Sequence, residues 1–384
     1  MKNYTEEITD ITLFAAPFGF GPLGKAMAIA HAFKNHGYTT KILTDDIGLQ
    51  IVKASGLEGD TYEYKKPLDL ASLNTRIAIS CMDISTPVIK SGVPLVLYDS
   101  LLWLRGEWEH LPKYNEDLYI AQRFFCEIPK AALNNVKDHL YLVDAVLPES
   151  SLHKTHNESE EKIVLYPGGL KSPHLGLVYQ EDYLEWVLEA IIPALRLNDI
   201  QLSNFIVIMP PQLKNAPITK TLEKIGVDVK SEQKDLGEII ASAKAFIIAP
   251  GIETMLEACA HGKVPLYLPP YISPHIPQII ELRLAGIGME LCPSFNDGLF
   301  SLNEDDKNMG KISKTMLKYN QEKLYDDVYK QEIIRNLDKF IKLNINNTNR
   351  YPLGRYGANQ IVNILEKYMS EEITNKTARL LVNQ

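Results

Sequence analysis

The sequence predicts an α/β protein built from two parallel-sheet domains that face each other across a cleft. Three observations predict it. Short apolar runs alternate with amphipathic stretches, the pattern of β-α-β units. That alternation is interrupted by one polar, charged segment, "PESSLHKTHNESEEK" at 148–162, and then restarts. The 384 residues, 45% hydrophobic and 23% charged, suffice for two such units with a core each.

In the first half, strands are expected at "ITLFAA" (11–16), "TTKILT" (39–44), "RIAISC" (76–81), "PLVLYD" (94–99) and "LYLVDAVLP" (140–148). Between the first two, "LGKAMAIAHAFKNHGY" sets Met27, Ala30, His31 and Lys34 at helical spacing, and Gly37 stops the helix. In the second half the strand patterns are "KIVLYPGG" (162–169), "NFIVIMPP" (204–211), "VDVK" (227–230), "AFIIAP" (245–250) and "VPLYLPP" (264–270). Helical stretches such as "EDYLEWVLEAIIPALRLN" separate them. From about 303 the chain is rich in Lys and Asn and mostly helical, with a loop at "NINNTNRYPLG" (344–354). The final "NQIVNILEKYM" is an amphipathic helix that could pack back across either domain. The expected units are therefore an N-terminal domain over 1–150, a second over 160–350, and a terminal helix within 351–384.

A net charge of −8 argues against general affinity for nucleic acid or anionic membrane. No apolar run approaches the ~20 residues of a membrane span, and "MKNYTEEITDITLF" lacks the parts of a secretory signal. Cys81, Cys126, Cys259 and Cys292 are widely spaced with no C-x-x-C pair, so neither a zinc site nor a disulfide framework is indicated. A reducing cytoplasm and no metal are the expectations.

Open α/β sheets bind ligands at the carboxyl ends of their strands, so site residues are sought there. The richest stretch is "APGIETMLEACAHGKVPLYLPPYISPHIPQ" (249–278). Pro250 and Gly251 break the strand, and a helix begins near Thr254. Its first-turn N–H groups and positive dipole end suit a diphosphate. Gly251 permits close approach, Thr254 adds a hydroxyl, and Glu257, one turn on, can accept from two ribose hydroxyls.

As a set, this spacing resembles the donor-binding motif of GT-B glycosyltransferases, above all the MurG-type and UDP-glycosyltransferase branches. The shared pattern is G-x-x-T/S-x-x-E-A, a small-residue helix, G-x-P, an apolar strand ending in Pro, and a glutamine. Here these are Gly251, Thr254, Glu257, Ala258, Gly262, Pro265, Pro269 and Gln278. The resemblance implies the GT-B type of fold, two Rossmann-like domains with the acceptor on the first and the donor on the second. It also implies metal-independent transfer of a sugar from a nucleotide sugar, UDP-linked, to a small-molecule acceptor, with no bound cofactor. Glu257 would then hold the ribose, Gly251 and Thr254 beside Pro250 the diphosphate, and Gln278 the sugar hydroxyls. Two positions depart from the pattern: Ala249 replaces the histidine of the plant-type branch, and Pro277 replaces the acid before the glutamine. By the same resemblance, "YPGGLKSPHLG" (166–176) would line the diphosphate through Gly168, Gly169, Lys171 and Ser172, and Lys230 and Ser231 would lie near the nucleobase.

"FGFGPLG" (18–24) has the G-x-G-x-x-G spacing of a dinucleotide site. Such a site needs an acid about 20 residues on, which Asp45 or Asp46 could supply, but Pro22 stands where the helix should start. GT-B enzymes carry a glycine-rich loop over the acceptor at this place, which makes Phe18, Gly19, Gly21 and Pro22 acceptor-side residues by resemblance. Many inverting members place a histidine base in that loop, and Pro22 falls at its position. A base is therefore sought among Asp99, Asp83 and His110, carboxylates or imidazole near strand ends. "YDSLLWLRGEWEHLP" (98–112), with Trp103, reads as the wall of an apolar acceptor pocket, as a peripheral membrane contact, or as packing. It faintly resembles cytosylglucuronate synthases. A nucleotide-sugar 2-epimerase of the same fold and a catalytically silent binding or partner subunit are the alternatives.

Overall fold

The computed structural model describes residues 8–17, 20–89, 92–105, 116–136, 138–152, 161–168, 170, 177–230, 236–272, 274–293, 309–343 and 353–382. The first sheet contains β1 (Thr9–Ala15), β2 (Thr40–Thr44), β3 (Glu58–Thr61), β5 (Thr75–Cys81), β7 (Leu95–Asp99), β8 (Leu118–Gln122) and β9 (Leu140–Val143). Their order is β3-β2-β1-β5-β7-β8-β9, parallel throughout, with the two-residue strands β4 (Leu68–Asp69) and β6 (Val88–Ile89) paired outside it. The second sheet holds β10 (Ile163–Tyr166), β11 (Phe205–Ile208), β12 (Asp228–Lys230), β13 (Ala245–Ile248), β14 (Leu266–Tyr267) and β15 (Met289–Glu290) in the order β12-β11-β10-β13-β14-β15. It too is parallel. Each order reverses once, between β1 and β5 and between β10 and β13. Ligands bind doubly wound sheets at that reversal, outside the carboxyl ends.

Helix α1 (Gly21–Asn35) follows β1 and carries Pro22 in its first turn. There the missing N–H costs nothing and the fixed φ favours the helix, so Pro22 starts the helix and does not count against one. Ala26, Ala28, Ala30 and Ala32 form much of its buried face, and their small side chains let it lie close to the sheet. On the second domain, the long helix α4 (Leu177–Leu197) packs against two further helices, Met309–Leu324 and Asp327–Leu343. Among the described residues, no helix is long and apolar enough to cross a membrane.

One apolar cluster runs across the junction. It joins Trp103, Phe124, Ala145 and Leu147 to Tyr166, Ile248, Met255 and Leu256 of the second domain. Trp103 stacks on Phe124 with centroids 4.3 Å apart, and its Nε1 donates to the Ser100 carbonyl at 3.1 Å. A buried tryptophan whose N–H is met by backbone is packing. Of the three readings of this stretch, the geometry favours packing for Trp103 over the wall of an acceptor pocket.

The helix Gly357–Val382 returns to the first domain, where Ile361, Val362 and Leu365 are wholly buried in the core with Ile29 and Phe33. The Gly357 N–H donates to the Ala145 carbonyl at 3.1 Å, and Gln360 Oε1 accepts from the Asp144 N–H at 2.7 Å. A Cβ on Gly357 would run into the Asp144 carbonyl oxygen and the Ala145 carbonyl, both backbone. Gly357→Ala is therefore expected to cost about 1–3 kcal/mol by overpacking. A calorimetric melt would show this as a fall of several degrees, and an unchanged melt would contradict the docking.

Candidate active site

At the end of β13 the Ala249 N–H donates to the Tyr166 carbonyl at 3.2 Å, and Gly251 N–H turns back to the Ala249 carbonyl at 2.6 Å. Gly251 then caps helix α7 (Ile252–Ala260) with extended backbone, φ −98° and ψ 136°, and having no side chain it makes no cap hydrogen bond to the first-turn N–H groups. The helix begins two residues before the expected Thr254, which leaves Thr254 half-buried in the first turn. Pro250 is buried within the turn. Gly168, after β10, has φ +78°, a conformation that strains any other residue. The two glycine turns therefore flank the β10/β13 reversal. Gly169, Lys171, Ser172, Ser231, Phe18, Gly19 and His110 lie outside the described residues. Lys230 ends the edge strand β12, away from the reversal, 3.9 Å from Asp228.

Glu257 is buried one turn deeper in α7, and Ser151 Oγ donates to its Oε1 at 2.9 Å. Burial pushes its carboxyl up to about 7, against the opposing pull of the Ser151 hydrogen bond and of Lys25. Near neutral pH it can therefore accept from hydroxyls or donate to them. Gln278 sits in the first turn of α8 (His275–Leu284), buried, and its Oε1 has no hydrogen-bond partner among the described residues. One turn earlier, His275 is also buried with Nδ1 unpartnered. Burial lowers its pKa to about 3, so the imidazole is neutral. Its ring stands perpendicular to that of Tyr271, centroids 4.7 Å apart, and Tyr271 Oη lies 3.7 Å from where a Cβ on Gly168 would stand. The sequence reading did not single out His275. The available signal was its i, i+3 spacing to Gln278, which puts both side chains on one helical face.

Across the junction, Gly21 approaches α7 so closely that a Cβ on it would stand 3.0 Å from Glu253 Cγ. Lys25 of α1 is buried and donates to Gln122 Oε1 at 3.1 Å and the Val146 carbonyl at 2.6 Å. Its Nζ also lies 2.9 Å from Glu253 Oε2, an ion pair between the two domains. Ser100 Oγ donates to Glu253 Oε1 at 3.3 Å.

The two described base candidates are occupied. Asp99 is fully buried and accepts from the Leu101 N–H (2.8 Å), Arg105 Nε (2.5 Å) and Nη2 (3.3 Å), and Tyr119 Oη (2.6 Å). It is one half of a buried ion pair. Asp83 accepts from Tyr62 Oη, the Ser85 and Thr86 N–H groups and Thr86 Oγ1, at 2.5 to 3.0 Å. It organises a turn. A general base needs a lone pair open to its substrate, and the geometry gives both aspartates structural roles in place of the expected one.

No protein-family model matches the sequence, and no curated protein matches it either. Solved structures do match. The spinosyn rhamnosyltransferase SpnG, complexed with thymidine diphosphate, aligns over 93% of this chain and 100% of its own, with 14% identity and a TM-score of 0.50. The calicheamicin glycosyltransferase CalG4 covers 95% of this chain and 99% of its own at 11% identity, TM-score 0.46. MurG from Acinetobacter baumannii covers 86% and 99% at 12% identity, TM-score 0.44. With two parallel, singly reversing sheets across a junction and the full-length match to the rhamnosyltransferase, the chain has the GT-B fold of glycosyltransferases.

Proposed function

We propose that the protein transfers a sugar from a nucleotide sugar, UDP-linked, to a small-molecule acceptor. The observation that carries this is the uncapped N-terminus of α7 at the β10/β13 reversal, with Gly251 as cap, Thr254 in its first turn and Glu257 behind it. Helix N–H groups that no side chain caps suit a diphosphate. Glu257 suits the ribose hydroxyls, and Gln278 Oε1, a buried acceptor without a donor, suits a hydroxyl of the transferred sugar. The acceptor would enter from the α1 side, over Gly21 and Pro22, and the proton it loses needs a base other than Asp99 or Asp83.

The saturated state of those two aspartates also favours a second reading, a nucleotide-sugar-binding subunit that performs no transfer. Thermal shift with UDP tests the shared part. At 100-fold over its dissociation constant UDP is expected to stabilise the fold by roughly 2.7 kcal/mol, while NAD and NADP leave the melting temperature unchanged. Stabilisation by NAD and none by UDP would overturn the donor assignment in favour of a dinucleotide site at 18–24. UDP release on adding an acceptor panel to UDP-glucose separates the transferase from the silent subunit.

A further inference from the structure

The Lys25–Glu253 pair joins the two domains at the first turn of the donor helix, and its parts are unusual in their placement. Lys25 is only 3% exposed, and its two hydrogen-bond acceptors in its own domain, Gln122 Oε1 and the Val146 carbonyl, are neutral. A buried ammonium needs an anion, and the carboxylate it pairs with among the described residues comes from the other domain. That anion, Glu253, sits in the first turn of α7, at an N-terminus no side chain caps. Its carboxylate is thus held by the positive end of the helix and by the ammonium together. Glu253 and Glu257 are four residues apart and so share one face of α7, and Lys25, paired with Glu253, lies at that face.

A second observation points to a ligand. Gln122, the last residue of β8, is 1% exposed, and its Nε2 has no acceptor. Its Oε1 takes three donors, Lys25 Nζ, Tyr98 Oη at 3.1 Å and the Val146 N–H at 2.9 Å, which fixes the amide's orientation. Among the described residues, a buried N–H donor therefore goes unsatisfied beside a buried cation, at the carboxyl edge of the first sheet. An unmet buried donor costs about 1–3 kcal/mol, and an oxyanion of a ligand would meet it.

We propose that Lys25 and Gln122 form an anion subsite for the donor's diphosphate, and that Glu253 occupies it as an internal stand-in which the donor displaces. The proposal rests on the nucleotide-sugar reading above. A diphosphate and the Glu253 carboxylate cannot share one ammonium without like-charge repulsion, so binding is an exchange. Glu253, whose side chain is already 27% exposed, turns to water. The donor then bridges the α7 N-terminus and Lys25, replacing one link between the domains with another.

The test is calorimetric titration of UDP, inorganic pyrophosphate and uridine into the wild-type chain, Glu253→Gln and the double variant Lys25→Met/Glu253→Gln. The double variant removes both charges together, so no buried charge is left unpaired, and a melt of each variant confirms folding. Glu253→Gln is expected to bind UDP and pyrophosphate roughly tenfold or more tightly than the wild type, the size of one charge-assisted hydrogen bond. The double variant should lose that gain, and uridine should respond to neither change. Unchanged or weaker pyrophosphate binding by folded Glu253→Gln overturns the subsite, as does a gain that survives in the double variant. Pyrophosphate following the expected order while UDP binds to none of the three keeps the subsite and overturns the nucleotide reading instead.

Discussion

Glu257→Gln is expected to weaken UDP binding about tenfold to a hundredfold and, at pH 8.5, to raise the melting temperature. The affinity loss follows from exchanging a carboxylate for an amide at the ribose hydroxyls, since a hydrogen bond to a charged group is worth about 1.5–3 kcal/mol. The stability gain follows from burial. The Glu257 carboxyl sits at about 7 in the fold against 4.5 for the unperturbed group. Below 4.5 both folded and unfolded chains hold the proton, and the fold bears no penalty. As pH rises from 4.5 to 7 the unfolded chain releases its proton first, so stability falls, and above 7 the loss is complete. A shift of this size corresponds to something on the order of 3 kcal/mol. Glutamine has no charge to bury and still accepts from Ser151, so the variant should gain at pH 8.5 and show almost no gain at pH 4.5. Scanning fluorimetry at the two pH values and UDP titration check both halves. An unchanged dissociation constant removes Glu257 from the donor site, and a lower melting temperature at pH 8.5 refutes the burial account.

Asp99→Asn is expected to destabilise the fold by about 3–5 kcal/mol, the cost of stranding one partner of a buried ion pair. Arg105 Nε and Nη2 and Tyr119 Oη all aim at this carboxylate, and the Arg105 side chain is 5% exposed. Asparagine offers one acceptor oxygen where two were used and places an N–H₂ against donors. Asp99→Leu/Arg105→Met removes both charges and should recover much of the loss, because the desolvation cost goes with them. Urea unfolding of the two variants measures this. Once an acceptor is known, turnover per folded molecule of Asp99→Asn should match the wild type. A stable variant with turnover cut by 10²–10⁴, the usual worth of a general base, would return Asp99 to the catalytic role.

The central strands were legible because a parallel strand buried on both faces is a continuous apolar run. β1, β5, β7, β10, β11 and β13 all read that way. β3, "EGDT", was not, since an edge strand largely open to water carries no apolar signature. β15 is two residues long. β8, "LYIAQ", is fully buried but only five residues long and ends in a polar glutamine, and it was not among the expected strands. The candidate donor motif was legible because Gly251, Thr254 and Glu257 recur every three residues from the cap into one helix. The junction was not. Lys25, Ser100, Gln122, Ser151 and Glu253 come from five separate places in the chain, and only the docking of one domain on the other brings them together. The same docking decided Trp103, whose partners lie in both sheets.

The return of Gly357–Val382 to the first domain also sets the order in which the protein can finish folding during its own synthesis. The first sheet leaves the ribosome first, yet Ile361, Val362 and Leu365, which fill its core, emerge only after the whole second domain. At about 5–20 residues per second the gap between β9 and that helix is roughly ten to forty seconds. Through that interval the second domain can close its core while the first waits with an apolar face uncovered. The half of the molecule made earliest is thus the half completed last, and the period when it most needs protection from aggregation falls within translation.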